Sequence, residues 1–164
     1  MEMKERIFNE LENKLKALNF EIVSSDKSRP WGGFFVINEN QAADFAKLFF
    51  PRIDIEALSI SGKLSPKILL VAPGKRLSWQ YHFRRAEIWK VLEGVVGVIK
   101  SDTDEERQLK EYKSGDLLQL RQGERHRLVG LMDWGVVAEI WQHTDVNNPS
   151  DEEDIVRLQD DFGR

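Results

Sequence analysis

The most informative run of this sequence is Gly74-Lys-Arg-Leu-Ser-Trp-Gln80-Tyr-His82-Phe-Arg-Arg-Ala-Glu87, which Gly94 follows after a short apolar stretch. Residues i and i+2 of a strand face the same side of a sheet, so Gln80 and His82 are expected to point one way. Another of the three histidines ends a second run, Gly115 to His126. Nitrogen and oxygen donors that converge in this manner suit a divalent metal. The predicted metal ligands are Gln80, His82, Glu87 and His126.

The composition is that of a globular protein with an excess of acidic residues. The chain has 164 residues, 41% of them hydrophobic and 32% charged, with a net charge of -4. This length predicts a single domain over residues 1–164 with a sizeable core. The acidic balance argues against nucleic acid as a partner, because such proteins carry a basic footprint. An anionic substrate would instead need a local cluster of arginine and lysine.

The sequence also limits the compartment in which we expect the protein. Cysteine is absent, which excludes disulfides and thiolate ligands and fits a cytoplasmic location. The N-terminus begins in a charged amphipathic pattern and lacks the apolar core of a signal peptide. No apolar run approaches the length that spans a membrane, so no membrane association is expected.

Helical and strand patterns divide the chain near residue 51. Apolar residues spaced by about one helical turn predict a helix over 1–19, and a second helix is expected over 41–50 after a short strand at 34–37. We therefore expect residues 1–50 to form a helical extension and 51–164 a barrel with a C-terminal segment. Turn signals separate the short strands expected there. These strands are 53–61, 67–72, 78–83, 87–92, 95–100, 107–112, 116–120, 126–131 and 136–142, with a loop over 144–154 and a strand or helical turn within 155–164.

The motif spacings resemble those of the cupin superfamily. The first cupin motif is a glycine, five residues, His-x-His, three or four residues, a glutamate, six residues and a glycine. The run from Gly74 to Gly94 has this spacing, with Gln80 in place of the first histidine. In the second motif Gly115, Gly123 and His126 match, while proline and asparagine positions differ. The resemblance implies an all-β fold, the cupin double-stranded β-helix or jelly-roll barrel, with one or two N-terminal helices.

Further motifs follow one another along the chain, namely Arg29-Pro-Trp-Gly32, Pro73 to His82, Arg85-Ala-Glu87-Ile-Trp89, His126-Arg-Leu128 and Glu153-Asp-Ile-Val-Arg157. They look like those of type II mannose-6-phosphate isomerases. In that family Gln-x-His is the usual metal pair, so Gln80 is an expected ligand. The resemblance implies one divalent metal ion, for which we expect zinc, with iron, manganese, nickel and cobalt as alternatives.

The activity that this resemblance implies is aldose–ketose isomerisation. Mannose 6-phosphate would become fructose 6-phosphate through an enediolate, with the metal as Lewis acid and a base moving a proton between C1 and C2. Glu139 is the expected base, because apolar neighbours predict a buried carboxylate whose pKa is raised. Lys67 is the second expected catalytic residue. The expected substrate-binding residues are Arg85, Arg127, Arg157 and Trp141.

Three departures from the family pattern all lie on the substrate side. Trp141 stands where the family has glutamine, Phe83-Arg84 replaces a pair of histidines, and the stretch from Glu139 to Glu152 is longer. Two alternatives therefore remain. One is an isomerase of another sugar or sugar phosphate, and the other is a non-catalytic regulatory cupin that binds metal or sugar. In each case the expected partner is a small sugar or sugar phosphate, and the resemblance implies a homodimer.

Overall fold

The computed structural model describes residues 2–163, which form two antiparallel sheets with helices on one side. The helical elements are α1 (Met3–Ala17), a short 3-10 turn (Glu39–Gln41), α2 (Ala42–Phe49) and α3 (Ile55–Leu58). The strands are β1 (Ile22–Asp26), β2 (Gly32–Ile37), β3 (Lys67–Val71), β4 (Trp79–Tyr81), β5 (Arg85–Glu93), β6 (Val95–Ser101), β7 (Lys110–Lys113), β8 (Leu117–Leu120), β9 (Arg125–Gly130), β10 (Gly135–His143) and β11 (Val156–Gln159).

The two sheets face each other and enclose the barrel interior. The larger sheet has the order β1-β2-β3-β10-β5-β8, and the smaller one has the order β11-β4-β9-β6-β7. From β3 onward, most consecutive strands pass from one sheet to the other, as where β5 of the larger sheet leads directly into β6 of the smaller. This arrangement confirms the expected all-β class with helices near the N-terminus.

The larger sheet is buried on both of its faces. Along β3, the side chains of Leu69 and Val71 pack between the sheets, whereas those of Ile68 and Leu70 pack against the helices. The same alternation runs along β10, all of whose residues are buried except Gln142. Strands covered on both faces appear as continuous apolar runs rather than as alternating ones. A charged residue within such a run, such as Glu139, must therefore find polar partners inside the protein.

Helix α1 provides much of the outer cover of this sheet. Its buried residues are Phe8, Leu11 and Leu15, which share one face at helical spacing. The ring of Phe8 lies 5.5 Å from that of Phe35, measured between centroids, and 6.2 Å from that of Trp134. Within residues 2–163, no helix combines the length and the apolar character that crossing a membrane requires.

The tight turn between β5 and β6 depends on the second glycine of the first motif. Gly94 has a φ of +77°, a conformation that residues with a side chain rarely adopt. A Cβ added there would also lie 2.5 Å from the carbonyl oxygen of Trp134. Both constraints explain why a glycine stands where the chain crosses between the sheets.

Two local predictions differ from the structure, and one open alternative is resolved by it. The strand expected at 53–61 is wrong: α3 forms there, and the Asp54 side chain caps it by accepting a hydrogen bond from the Ala57 N–H at 3.2 Å. Strand β1 was not expected, because its side chains are mostly exposed and show no apolar alternation. The C-terminal alternative resolves as a strand, β11. Residue 1 of the predicted 1–19 helix and residue 164 of the predicted 155–164 element lie outside the described residues.

Removal of the Phe8 ring should detach α1 from the sheet. We expect Phe8→Ala to lower the free energy of unfolding by about 3–5 kcal/mol, because a buried aromatic ring is replaced by a cavity. Urea unfolding followed by circular dichroism measures this change. Met3→Ala serves as the control on the same helix, since Met3 is 56% exposed. Equal stability of the Phe8 variant and the wild type would contradict this role of α1.

Candidate metal centre and adjoining pocket

Three of the predicted ligands converge between the sheets. One potential ligand atom from each of His82, Glu87 and His126 lies within 4.8 Å of the others, and all three side chains are buried. Glu87 comes from β5 and His126 from β9, whereas His82 follows the last residue of β4. Gln80, on β4, lies directly opposite His126 in the strand register. The motif spacing thus brings residues from three strands to one point.

Backbone carbonyls select the same tautomer for both imidazoles. Nδ1 of His82 lies 2.7 Å from the carbonyl oxygen of Asp154, and Nδ1 of His126 lies 3.1 Å from that of Glu124. A carbonyl oxygen only accepts, so each Nδ1 carries the proton and each Nε2 presents its lone pair. Burial lowers the pKa of His126 to about 4, which keeps this imidazole neutral near pH 7. An imidazole of this tautomer can bind a metal through Nε2 when it is neutral.

The distance between one pair of donor atoms, those of His82 and Glu87, suits a divalent ion. Nε2 of His82 lies 3.0 Å from Oε2 of Glu87. Ligand atoms that sit about 2.0–2.2 Å from one ion, at near right angles to each other, lie roughly 3 Å apart. Two imidazole nitrogens and one carboxylate form a donor set that zinc, iron, manganese, nickel and cobalt all accept. The residues present therefore fit the metal that the fold implies.

Gln80 is placed beside the centre, with its amide directed away from a metal-binding orientation. Its Oε1 accepts a hydrogen bond from the Ser78 hydroxyl at 2.7 Å, and its Nε2 lies 3.5 Å from Nε2 of His126. An amide nitrogen has no lone pair to offer a cation. Gln80 would act as a ligand only after its amide rotates by half a turn and releases Ser78.

Arg85 supplies a positive charge inside the site. Its Nε donates to Oε2 of Glu87 at 2.9 Å, and its guanidinium stacks on the Trp141 ring at 3.6 Å from the centroid. Burial opposes ionisation of Glu87, but the neighbouring positive charge of Arg85 holds its pKa well below the usual value. Glu87 is therefore ionised, and Arg85 is a cation that the candidate centre already contains.

Glu139 lies beside Glu87 and holds a proton. Its two oxygens accept hydrogen bonds from the indole N–H groups of Trp89 and Trp141 at 2.8 and 2.7 Å. The indole of Trp89 also lies 3.0 Å from Oε1 of Glu87, so it bridges the two carboxyl groups. Burial raises the pKa of Glu139 to about 8, and the negative charge of Glu87 contributes further. Glu139 is thus mostly neutral at pH 7 in the metal-free protein.

Lys67 connects this interior to the solvent. It pairs with Glu139 in the register of β3 and β10. Its Nζ lies 4.4 Å from the centroid of the Phe34 ring and 2.5 Å from Oε1 of Glu152. The Lys67 side chain is only 9% exposed, whereas that of Glu152 is 64% exposed. The ion pair therefore spans from the buried wall of the site to its surface.

A pocket of about 70 Å³ opens beside the metal ligands. This volume is small compared with the roughly 300–1,000 Å³ of most pockets for organic ligands. The pocket brings the ligand Glu87 together with several of the predicted catalytic and substrate-binding residues. The charged and amide groups in its wall include Lys67, Gln80, Arg85, Glu87, Glu139, Glu152 and Arg157.

Two predicted substrate-binding residues do not reach this wall. The guanidinium of Arg127 is fully buried elsewhere, where it donates to the carbonyl of Leu77, to Glu106 and to Gln159 at 2.7–3.0 Å. Trp141 lies behind the wall, between Arg85 and Glu139. The structure therefore places Arg127 in a structural network and gives Trp141 contacts that orient two residues of the site.

Sequence reasoning missed two residues that contact the site. Glu152 forms the ion pair with Lys67, and Asp154 provides the carbonyl that holds His82. Asp154 belongs to the Glu153-Asp-Ile-Val-Arg157 motif, which could have drawn attention to it. Glu152 lies in a polar loop that carries no comparable signal.

Two facing antiparallel sheets with a His–Glu–His centre between them define a cupin. Within that class, the model of the family described as "Mannose-6-phosphate isomerase C-terminal" matches residues 38–160. The chain therefore belongs to this family. No curated protein sequence matches the chain significantly.

Solved structures support the fold. The capsular polysaccharide assembling protein CapF from Staphylococcus aureus aligns with a TM-score of 0.55 and 15% identity, over 83% of this chain and 31% of CapF. A mutant of the oxalate decarboxylase OxdC from Bacillus subtilis aligns with a TM-score of 0.57 and 13% identity, over 82% and 30%. An oxalate oxidase aligns with a TM-score of 0.53 and 16% identity, over 80% and 58%. The chain thus spans less than two thirds of each of these proteins.

Loss of the carboxylate ligand should abolish the response to metal. We expect Glu87→Gln to weaken zinc binding by at least about 100-fold, the upper end of what outer-shell partners contribute. Calorimetric titration, together with the zinc-dependent shift in Tm, measures this. Glu111→Gln removes an equal charge from an exposed position on β7 and should leave both quantities unchanged. Zinc binding by the Glu87 variant at wild-type affinity would show that the metal binds elsewhere.

The buried proton of Glu139 should give the metal-free protein a distinct pH dependence. A carboxyl whose pKa is raised on folding contributes stability below its unfolded pKa of 4.5, and this contribution is lost as pH rises towards its folded pKa of about 8. Relative to Glu139→Gln, the wild type should therefore lose on the order of 2 kcal/mol or more between pH 5 and pH 8. Chemical unfolding of both proteins at several pH values tests this. A constant difference between them would show that Glu139 is ionised throughout.

Proposed function

We propose that this protein is a metal-dependent aldose–ketose isomerase of sugar phosphates, with mannose 6-phosphate as the substrate and fructose 6-phosphate as the product. The observation that carries this proposal is the position of Glu139. A carboxyl group with a pKa of about 8 lies next to an ionised metal ligand, in the wall of a pocket. A protein that only binds sugar has no need of a buried proton carrier at this point. Membership in the matched family supports the same activity.

In this mechanism Glu139 moves the proton between C1 and C2. A group with a pKa near the working pH exists in both protonation states, so it can accept a proton and return it. The indole N–H groups of Trp89 and Trp141 hold both of its oxygens in place and spare it from reorientation during the transfer. When bound, the divalent ion would supply Lewis acidity to the carbonyl and the neighbouring hydroxyl of the open-chain sugar.

Cations along the pocket wall would bind the anionic end of the substrate. Lys67 and Arg157 both line the pocket, and an arginine can bind phosphate through two parallel hydrogen bonds. In this structure the Nζ of Lys67 forms an ion pair with Glu152 and is not available to a phosphate. Since the pocket measures only about 70 Å³, a sugar phosphate would enter when Glu152 leaves Lys67 and the longer loop moves outward.

The remaining assignments complete this proposal. We propose zinc as the metal, a cytoplasmic location, a homodimer, and one domain over residues 1–164, in which residues 1–50 carry helices together with strands β1 and β2. Two alternative functions use the same centre: isomerisation of another sugar or sugar phosphate, and metal or sugar binding without catalysis. Proton exchange at C2 distinguishes isomerases from binders, whichever sugar is used.

The deciding experiment is turnover in deuterated water. Metal-loaded protein incubated with mannose 6-phosphate should form fructose 6-phosphate, and deuterium should enter the sugar from solvent. Glu139→Gln should lower kcat by about 10²–10⁴-fold, because general acid–base catalysis contributes this much. Its zinc affinity should remain, since Glu139 is not a ligand.

Glu111→Gln is again the charge-matched control and should turn over like the wild type. Zinc, iron, manganese, nickel and cobalt are each tested, along with other aldose phosphates and free pentoses. Binding of metal without exchange of any sugar proton would reject the isomerase and leave the non-catalytic alternative. Turnover of the Glu139 variant at the wild-type rate would reject Glu139 as the base.

A further inference from the structure

A short segment after β10 contacts His82, a predicted metal ligand that lies outside the strands. We name residues 150–154 the clasp. His82 lies just beyond the end of β4, so the ladder of that sheet does not fix it. The His82 carbonyl accepts a hydrogen bond from the Gly123 N–H at 3.0 Å, which fixes the backbone on one side. The clasp supplies the contacts on the other side.

Asp154 makes three hydrogen bonds with this turn and a longer ion pair with the Arg84 guanidinium, at 3.9 Å. Its carbonyl oxygen lies 2.7 Å from Nδ1 of His82 and accepts the imidazole proton. Its two carboxylate oxygens accept hydrogen bonds from the backbone N–H groups of Phe83 and Arg84, each at 2.9 Å. Asp154 therefore forms hydrogen bonds both with the His82 ring and with the backbone of the two residues that follow His82.

The clasp is itself anchored from the opposite side. The Ser150 hydroxyl donates to the Asp154 carboxylate at 2.6 Å, and the Ser150 backbone N–H donates to Nδ1 of His143 at 3.0 Å. Nη1 of Arg85 donates to the Ser150 oxygen at 3.0 Å and to the Asp151 carbonyl at 2.9 Å. Ser150, His143 and Asp154 are all buried, so these bonds are shielded from water.

We propose that Asp154 is a positioning residue that orients the His82 ring and thereby sets the metal affinity of the centre. This inference rests on the metal-binding part of the proposed function and is independent of which sugar reacts. Without the carboxylate, the turn after His82 loses two bonds that hold it against the clasp. The ring can then leave the Asp154 carbonyl, and its Nε2 no longer points reliably at the other ligands.

His126 provides an internal reference for this role. Its Nδ1 is held by the carbonyl of Glu124, two residues earlier in its own turn and strand, without any contact to the clasp. A general loosening of the protein would affect both imidazoles. A loss of positioning by Asp154 would affect His82 alone.

The test compares Asp154→Ala with Glu153→Ala, which removes the adjacent exposed carboxylate. Zinc affinity is measured by competition with a chelator, and the full-length, zinc-loaded protein with ¹⁵N-labelled histidine is examined by NMR. We expect Asp154→Ala to weaken zinc binding by about 10–100-fold, as for other partners of ligating histidines. Its His82 Nδ1–H signal should vanish through fast exchange, while that of His126 persists. Glu153→Ala should stay within about twofold of the wild type.

Ser150→Ala is the second variant, for the case in which Asp154→Ala does not fold. It keeps the carboxylate but removes the hydroxyl that links it to Arg85, so the same selective loss should appear at smaller size. Wild-type zinc affinity in the folded variants would overturn the proposal. So would weaker zinc binding with the His82 and His126 signals both retained or both lost. Failure of the isomerase assay alone would leave the proposal standing.

Discussion

Two carboxyl groups, those of Glu87 and Glu139, lie side by side between the sheets, where both side chains are almost completely buried. Two unpaired negative charges there would cost far more than the fold could offset. The site resolves this by neutralising Glu87 with Arg85 and by keeping a proton on Glu139. The remaining polar contacts follow from that division, since Trp89 and Trp141 direct their N–H groups at these oxygens. A divalent ion would add positive charge to a centre that already holds one cation.

The larger sheet creates the conditions for this arrangement. Along β10, Ala138 and Ile140 pack on the helix side, so Glu139 between them faces the interior of the barrel, where it is only 4% exposed. Burial on this scale is what moves the pKa of a carboxyl group by several units. The pairing of β10 with β3 and β5 thus places Glu139 beside Lys67 and Trp89.

The sequence predicted those features that depend on short-range spacing. His82, Glu87 and His126 could be grouped because each follows a glycine turn at a fixed interval, and Glu139 stood out as a charge in an apolar strand. The clasp could not be found in this way, because its bonds to His82 and Arg85 join residues 65 or more positions apart. The structural role of Arg127 could not be predicted either, because its partners Glu106 and Gln159 are distant in sequence and only the fold brings them to it. Strand β1 and helix α3 were missed because exposed strands and short capped turns leave little periodicity.

The position of β10 also has a consequence for how the chain folds. β10 lies between β3 and β5, yet ribosomes make it after both, and the whole smaller sheet except β11 is made before it. Until β10 arrives, β3 and β5 each expose an unpaired apolar edge, which invites pairing with other chains. The step that closes the barrel also brings Glu139 beside Glu87. Assembly of the candidate metal centre with Glu139 beside it, and pairing of these two exposed edges, therefore both depend on the same late strand.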